Sequence, residues 1–256
     1  MYSRARRYSG ARKRYLGANK KYSYNNYKRR RTTTSIAPYA RMPYIPRFLA
    51  DMPAIKYARL RYVSFNNTAG PGINSIVVRE YRLNSLYDPD YQVGGHQPTG
   101  FDEMMKQYEK FTVLKTYVQL ENCSLINNRA LFVCLIREQQ PGDVTAQYSV
   151  DGLDALMERP AVSESLALTV GGDMMGSKRK IGMMCDMSKY TGKTYKDLIG
   201  DYGYQGDVGH DPNQIQNIAV VCYSPTGADQ SSVSAQWKLT MDFYVAFTKR
   251  MPPEGS

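Results

Sequence analysis

Three short stretches of this 256-residue chain hold the residue types that do chemistry. "YDPDYQVGGHQPTGFDEMMKQYEKF" (87–111) carries His96, with Asp102 and Glu103 close behind it. "DYGYQGDVGHDPN" (201–213) carries the other of the two histidines, His210, among Asp201, Asp207 and Asp211. A histidine within reach of carboxylates can help to hold a divalent cation or exchange a proton with a substrate. "MSKYTGKTYKD" (187–197) contains Gly192-Lys193-Thr194, the closing residues of a phosphate-binding loop.

Each stretch has a plainer reading. Asp102 and Glu103 would lie in the first turn of a helix, where carboxylates complement the dipole, with Thr99 as its N-cap. The Gly94–Gly95 pair would give positive φ in a tight approach loop, leaving His96 as a loop residue bonded to backbone. The density of Gly, Asp, Asn and Pro over 201–213 reads as a turn-rich surface loop. A phosphate loop needs a further glycine five residues before Gly192, and that position is Met187. No Ser, Cys or His has a visible catalytic partner, so no catalytic residue, cofactor or metal site is assigned. The four cysteines (123, 134, 185 and 222) show no CxxC spacing. Cys134 and Cys222 lie in apolar runs and read as buried free thiols of a reducing compartment.

The charge is more informative. The net charge is +11, yet residues 1–50 hold 14 Lys and Arg and no acid, which leaves 20 bases against all 23 acids in the remainder. Residues 1–31 form a basic arm. Its cations come in clusters: Arg4, Arg6 and Arg7; Arg12, Lys13 and Arg14; Lys20 and Lys21; Lys28, Arg29, Arg30 and Arg31. Tyr8, Tyr15 and Tyr22 recur among them, and a merely solubilising tail has no need of aromatic rings. Single-strand binding does, since bases stack on rings while Arg and Lys neutralise phosphates. With hardly an aliphatic residue, the arm alone cannot offset its ordering entropy and is expected to be disordered when free. The clusters also read as a nuclear-import signal.

Residues 32–54 form a linker, extended by Pro38, Pro43, Pro46 and Pro53. From 55 to 256 the punctuation is that of an all-β domain. Strands are predicted at 55–66, 73–83, 111–121, 129–138, 165–170, 179–187, 213–224 and 234–247. Over 111–121, Leu114, Val118 and Leu120 should share one face, with Lys115, Gln119 and Glu121 opposite. "LFVCLI" within 129–138 is apolar throughout, as in a strand covered on both sides. One helix is predicted, with Phe101, Met104, Met105 and Tyr108 as its stripe. Eight strands with long insertions point to a sandwich or jelly roll. No apolar run approaches the ~18 residues of a membrane-spanning helix, and no apolar segment follows the basic start as in a signal peptide.

The stretch at 87–118 resembles a segment of the capsid proteins of circular, Rep-encoding single-stranded DNA viruses, the circovirus and cyclovirus relatives. The resemblance is carried by "LNSLYDP" (83–89), Gly94–Gly95, Pro98–Asp102 with its "P-x-G-F-D" pattern, and "KFTV" (110–113). The Arg-rich start and the closing "WKLTMDFYVAFTKR" (237–250) extend a looser match along the chain. It implies an eight-stranded viral jelly roll with one short helix in a long inter-strand loop and a basic N-terminal arm. Identical subunits would build a shell of roughly sixty copies, the T=1 lattice, around single-stranded DNA. The arm would face the interior and engage host nuclear-import receptors, placing the protein in the virion and, during assembly, in the host nucleus. A cell-surface receptor is implied but not identified.

Apolar residues left over in loops are expected at subunit contacts. Tyr91, Phe101, Met104, Met105 and Tyr108 are the candidates, with Tyr91 and Tyr108 the outermost. Two rivals stand beside the capsid reading. One is a cellular single-stranded nucleic-acid-binding module with a basic tail, which would need an aromatic, basic face on the β-domain itself. The other is an enzyme built around His210.

Overall fold

Strict alternation and continuous apolar runs give different strands, and both kinds form in this protein. A computed structural model describes residues 53–92, 95–123, 131–168, 180–232 and 234–251. Eight strands form: β1 (Lys56–Ala69), β2 (Ile76–Arg82), β3 (Tyr108–Asn122), β4 (Phe132–Glu138), β5 (Leu166–Ala167), β6 (Lys180–Asp186), β7 (Asn217–Tyr223) and β8 (Ser234–Arg250). They pair antiparallel into two four-stranded sheets, ordered β1-β8-β3-β6 and β2-β7-β4-β5. Chain-adjacent strands lie in opposite sheets at most steps, and the first and last strands are neighbours. This is the eight-stranded jelly roll.

The core lies between the sheets. Tyr62, Leu120, Trp237, Leu239, Met241 and Phe243 come from the first sheet; Tyr81, Val133, Leu135, Ile218, Val220 and Cys222 come from the second. Each such large side chain contributes about 1.5–3 kcal/mol on leaving water. Trp237 is 1% exposed, and its indole N–H donates to Thr68 Oγ1 at 3.2 Å, which satisfies its one polar atom.

Every residue of β7 is buried, because its other face is covered too. Beneath α2 (Asp143–Met157) lies a second cluster of Cys134, Ile136, Ala219, Val221 and Tyr223, closed by Val144 and Leu156 from the helix. The expectation that 129–138 is covered on both sides holds for its described residues.

Three details depart from the sequence reading. Leu114 falls where the β3–β8 register shifts between Val113 and Lys115, so Val113 and Thr116 point inward and Leu114 is only half-buried. A bulge adds one residue to one strand, and alternation counted through it fails. Helix α1 is only Phe101–Met105, and its N-cap is Gly100 at φ 87°, not Thr99. Tyr108 opens β3 and does not belong to the helix.

The third departure is in helix number. Besides α1 and α2 there are α3 (Met187–Thr191), α4 (Tyr195–Gly200) and a 3-10 turn at Tyr202–Tyr204. Gly152, at φ 80° and ψ −171°, kinks α2, which blurs its apolar periodicity in the sequence. Among the described residues no helix is long and apolar enough to cross a membrane. The arm, the linker up to residue 52, Gly94 and Met174–Met175 lie outside the described residues.

Candidate functional surfaces

The 83–111 stretch is held by a ladder of arginine–carboxylate pairs. Arg79 donates to Asp90 at 2.6 Å, and Arg82 donates to the carboxylate and carbonyl of Asp88 at 2.6 and 2.8 Å. Asn84 fastens the strand end to the next loop, donating to Gln214 O at 2.8 Å and accepting from Gln216 N at 2.9 Å. Gly95 does not have positive φ. A Cβ there would lie 3.0 Å from Asp90 Cβ, so the glycine serves a close approach instead. His96 is exposed and stacks on Tyr62, centroids 4.5 Å apart at 25°. Asp102 and Glu103 occupy the first turn of α1, as expected.

The subunit-contact candidates divide. Phe101 meets Phe111 edge-on at 5.5 Å and is fully buried, as are Tyr108 and nearly so Met105. The Tyr108 hydroxyl donates to Pro53 O at 2.9 Å. These three rings and chains fill the protomer's own core and offer no surface to a neighbour, which corrects the choice of Tyr108 as an outer contact. Tyr91 is 45% exposed, with the Arg82 guanidinium 4.7 Å from its ring centroid. Met104 is half-buried against the core. Tyr91 and Met104 are the members left with surface.

The carboxylates of 201–211 have separate partners. Asp201 caps the 3-10 turn through Gly203 N and pairs with Lys193. Asp207 accepts from Gly209 N at 2.9 Å, from Lys110 at 3.0 Å and lies 2.9 Å from His210 Nδ1. Burial opposes its charge, but these donors outweigh burial and hold it at about 2. Asp211 accepts from Ser85 and lies 3.6 Å from Arg82. Among the described residues no group of three or more His, Cys, Asp or Glu could hold a metal ion. Gly192-Lys193-Thr194 is the turn between two helices: Gly192 ends α3 at φ 70°, and Thr194 starts α4 in a reciprocal capping box with Asp197. Cys134 and Cys222 are buried free thiols, both pushed up to about 12 by burial.

Sequence reasoning missed the acidic anchor of α2. Glu80 accepts from Gly142 N at 2.8 Å and Glu138 from Val144 N at 3.0 Å, so two strands of the second sheet hold the N-terminus of this helix. Glu138 is 1% exposed, and its Oε2 has no hydrogen-bond partner. Burial raises it to about 7; the Val144 N–H works against that rise, and nearby Glu80 and Asp143 add to it. A glutamate closing an apolar run was the available signal.

The arm residues predicted to hold nucleic acid lie outside the described residues. No family model matches the chain, and no curated protein matches it. Solved structures similar to it include two of BFDV capsid protein. The decameric form has 10% identity and TM-score 0.42 over 76% of this chain and 99% of that one. The 60-mer has 9% identity and TM-score 0.44 over 79% of this chain and 97% of that one. A third is the semi-empty virus-like particle of the giant freshwater prawn Macrobrachium rosenbergii nodavirus, with 12% identity and TM-score 0.44 over 80% and 100%. The jelly-roll assignment rests on the strand order of this chain, not on these likenesses.

Proposed function

We propose that this protein is the structural subunit of a small icosahedral viral shell, which packages single-stranded DNA through its basic arm. The observation that carries the reading is one chain joining an acid-free arm of 12 cations to a jelly roll ordered β1-β8-β3-β6 and β2-β7-β4-β5. Jelly-roll sandwiches of this kind build viral shells, and a basic arm gathers a polyanion. Tyr91 and Met104 are proposed as neighbour contacts, and the arm's clusters as the import signal that delivers the subunit to the host nucleus. The reading is non-enzymatic: His210, its aspartates and Lys193 are engaged in bonds that shape loops.

A cellular single-strand-binding module shares the arm but has no need of closed assembly. Sedimentation velocity of the full-length chain, with negative-stain images of the fast fraction, separates the two. Uniform closed particles are expected. A protein that stays monomeric, with and without single-stranded DNA, overturns the shell.

A further inference from the structure

Alternation sends every second residue of the β1-β8-β3-β6 sheet away from the core, and the register arranges these residues in rows. Arg59, Tyr244, Lys115 and Asp186 share one row; Arg61, Asp242, Tyr117 and Met184 share the next. Phe65, Lys238, Glu121 and Lys180 share another. Among the described residues, only Tyr195 of α4 reaches onto this face, beside Lys115 and Asp186, and Tyr57, Arg59, Arg61 and Phe65 are exposed.

Cations and carboxylates sit at different heights. Asp242, Asp186 and Glu121 have side chains only 6%, 10% and 25% exposed. Their partners stand above them: Arg59 at 51%, Arg61 at 59%, Lys115 at 40%, Lys180 at 52% and Lys238 at 30%. Asp242 alone braces two arginines, at 2.5 and 2.7 Å. Five cations against three carboxylates, of which Asp242 and Asp186 are sunken, make this face basic, although residues 51–256 are acidic in sum.

Rings lie between the cations. Tyr57 and Phe65 are 65% and 76% exposed, and Arg59 lies 5.6 Å from the centroid of Tyr244. Tyr57, Arg59, Leu114 and Tyr244 border a shallow pocket of about 310 Å³. Tyr117 lies across Gly182, where a Cβ would come within 2.3 Å of its hydroxyl, so the glycine lets the phenol lie down on the sheet.

We propose that this face is a second, domain-borne site for single-stranded nucleic acid, with bases stacked on Tyr57, Tyr244 and Phe65 and phosphates met by Arg59, Arg61 and Lys115. Charge complementarity selects a polyanion, and exposed rings select one whose bases are unpaired. Tyr57 is the second residue of β1, directly after the linker, so a strand held by the arm is covalently tethered to the domain that carries this face. The site stands independently of the shell reading.

The test is photo-crosslinking of the full-length chain to a bromodeoxyuridine oligonucleotide, with peptides mapped by mass spectrometry. Crosslinks are expected on peptides holding Tyr57 and Tyr244 as well as on the arm. Tyr57→Ala with Tyr244→Ala, both exposed and so compatible with folding, should remove the former and keep the latter. The same variant should lose about 10-fold or more in affinity for a homothymidine strand at a salt concentration that screens the arm. Crosslinks confined to residues 1–50 overturn the site. So does protection of these peptides from hydrogen exchange on self-association without DNA, which would make the face a contact between copies. Shells without domain crosslinks would sink this site alone, and domain crosslinks without shells would sink the shell alone.

Discussion

The two sheets share one core but differ on their outer sides. Outside β2-β7-β4-β5, helix α2 covers a second apolar cluster, and all seven residues of β7 are buried. Outside β1-β8-β3-β6, among the described residues, exposed charged and aromatic side chains alternate with buried ones. One sheet is thus finished within the protomer, and the other is left with a surface whose chemistry fits a partner. The same fold rule, alternate residues inward, produces both; the outward residues decide which sheet is structural ballast and which is available for binding.

The largest expected effect separates the two faces directly. Leu156→Ala empties the covered cluster and should cost about 2–5 kcal/mol in denaturant unfolding. Phe65→Ala removes a larger ring from the open face and should change stability by less than about 0.5 kcal/mol. Equal losses would show that the open face is packed against something in the free protein.

Glu138 gives a pH-dependent version of the same contrast. Its folded value, about 7, lies above its ordinary 4.5, so the favourable contribution is complete below about pH 4.5 and is lost as pH rises through 7. The span is worth up to about 3 kcal/mol. Glu138→Gln keeps an acceptor for Val144 N–H and removes the titration. The variant should therefore melt higher than the parent at pH 8 and with little difference at pH 5. An unchanged pH profile would mean that the carboxylate is not held in a dry site.

The strands were legible because their signals are local. "LFVCLI" within 129–138 reads as a strand covered on both sides, and α2 lies over the outer side of β4. The strand predicted at 55–66 forms as β1. The bulge at Leu114 was not legible, because it depends on how β3 meets β8 more than a hundred residues later. The cation ladder was hidden for the same reason: Arg61 and Asp242 lie 181 positions apart, and only the register brings them together. A domain total of charge therefore concealed a basic face. Helix α2 was missed because its burial rests on two residues, Val144 and Leu156, on either side of a glycine that breaks the period. Of the interface candidates, an apolar stripe in sequence could not distinguish Tyr108, facing the core, from Tyr91, facing out.

A smaller loss is expected at the edge of the open sheet, where β6 runs into α3 and α4. Thr194→Ala removes the capping box of α4 and should cost about 1 kcal/mol by urea unfolding, with crosslinking to the open face unchanged. A change in crosslinking there would join this helical corner, and Tyr195 beside Lys115, to the binding surface.

The most direct measurement is a cryo-EM reconstruction of the full-length chain assembled with single-stranded DNA. The account predicts closed shells in which the outer face of β1-β8-β3-β6 turns toward the lumen, with density against Tyr57 and Tyr244. Shells with that face turned outward or closed between subunits would contradict the nucleic-acid surface, and a failure to form any closed shell would contradict the function proposed for the chain.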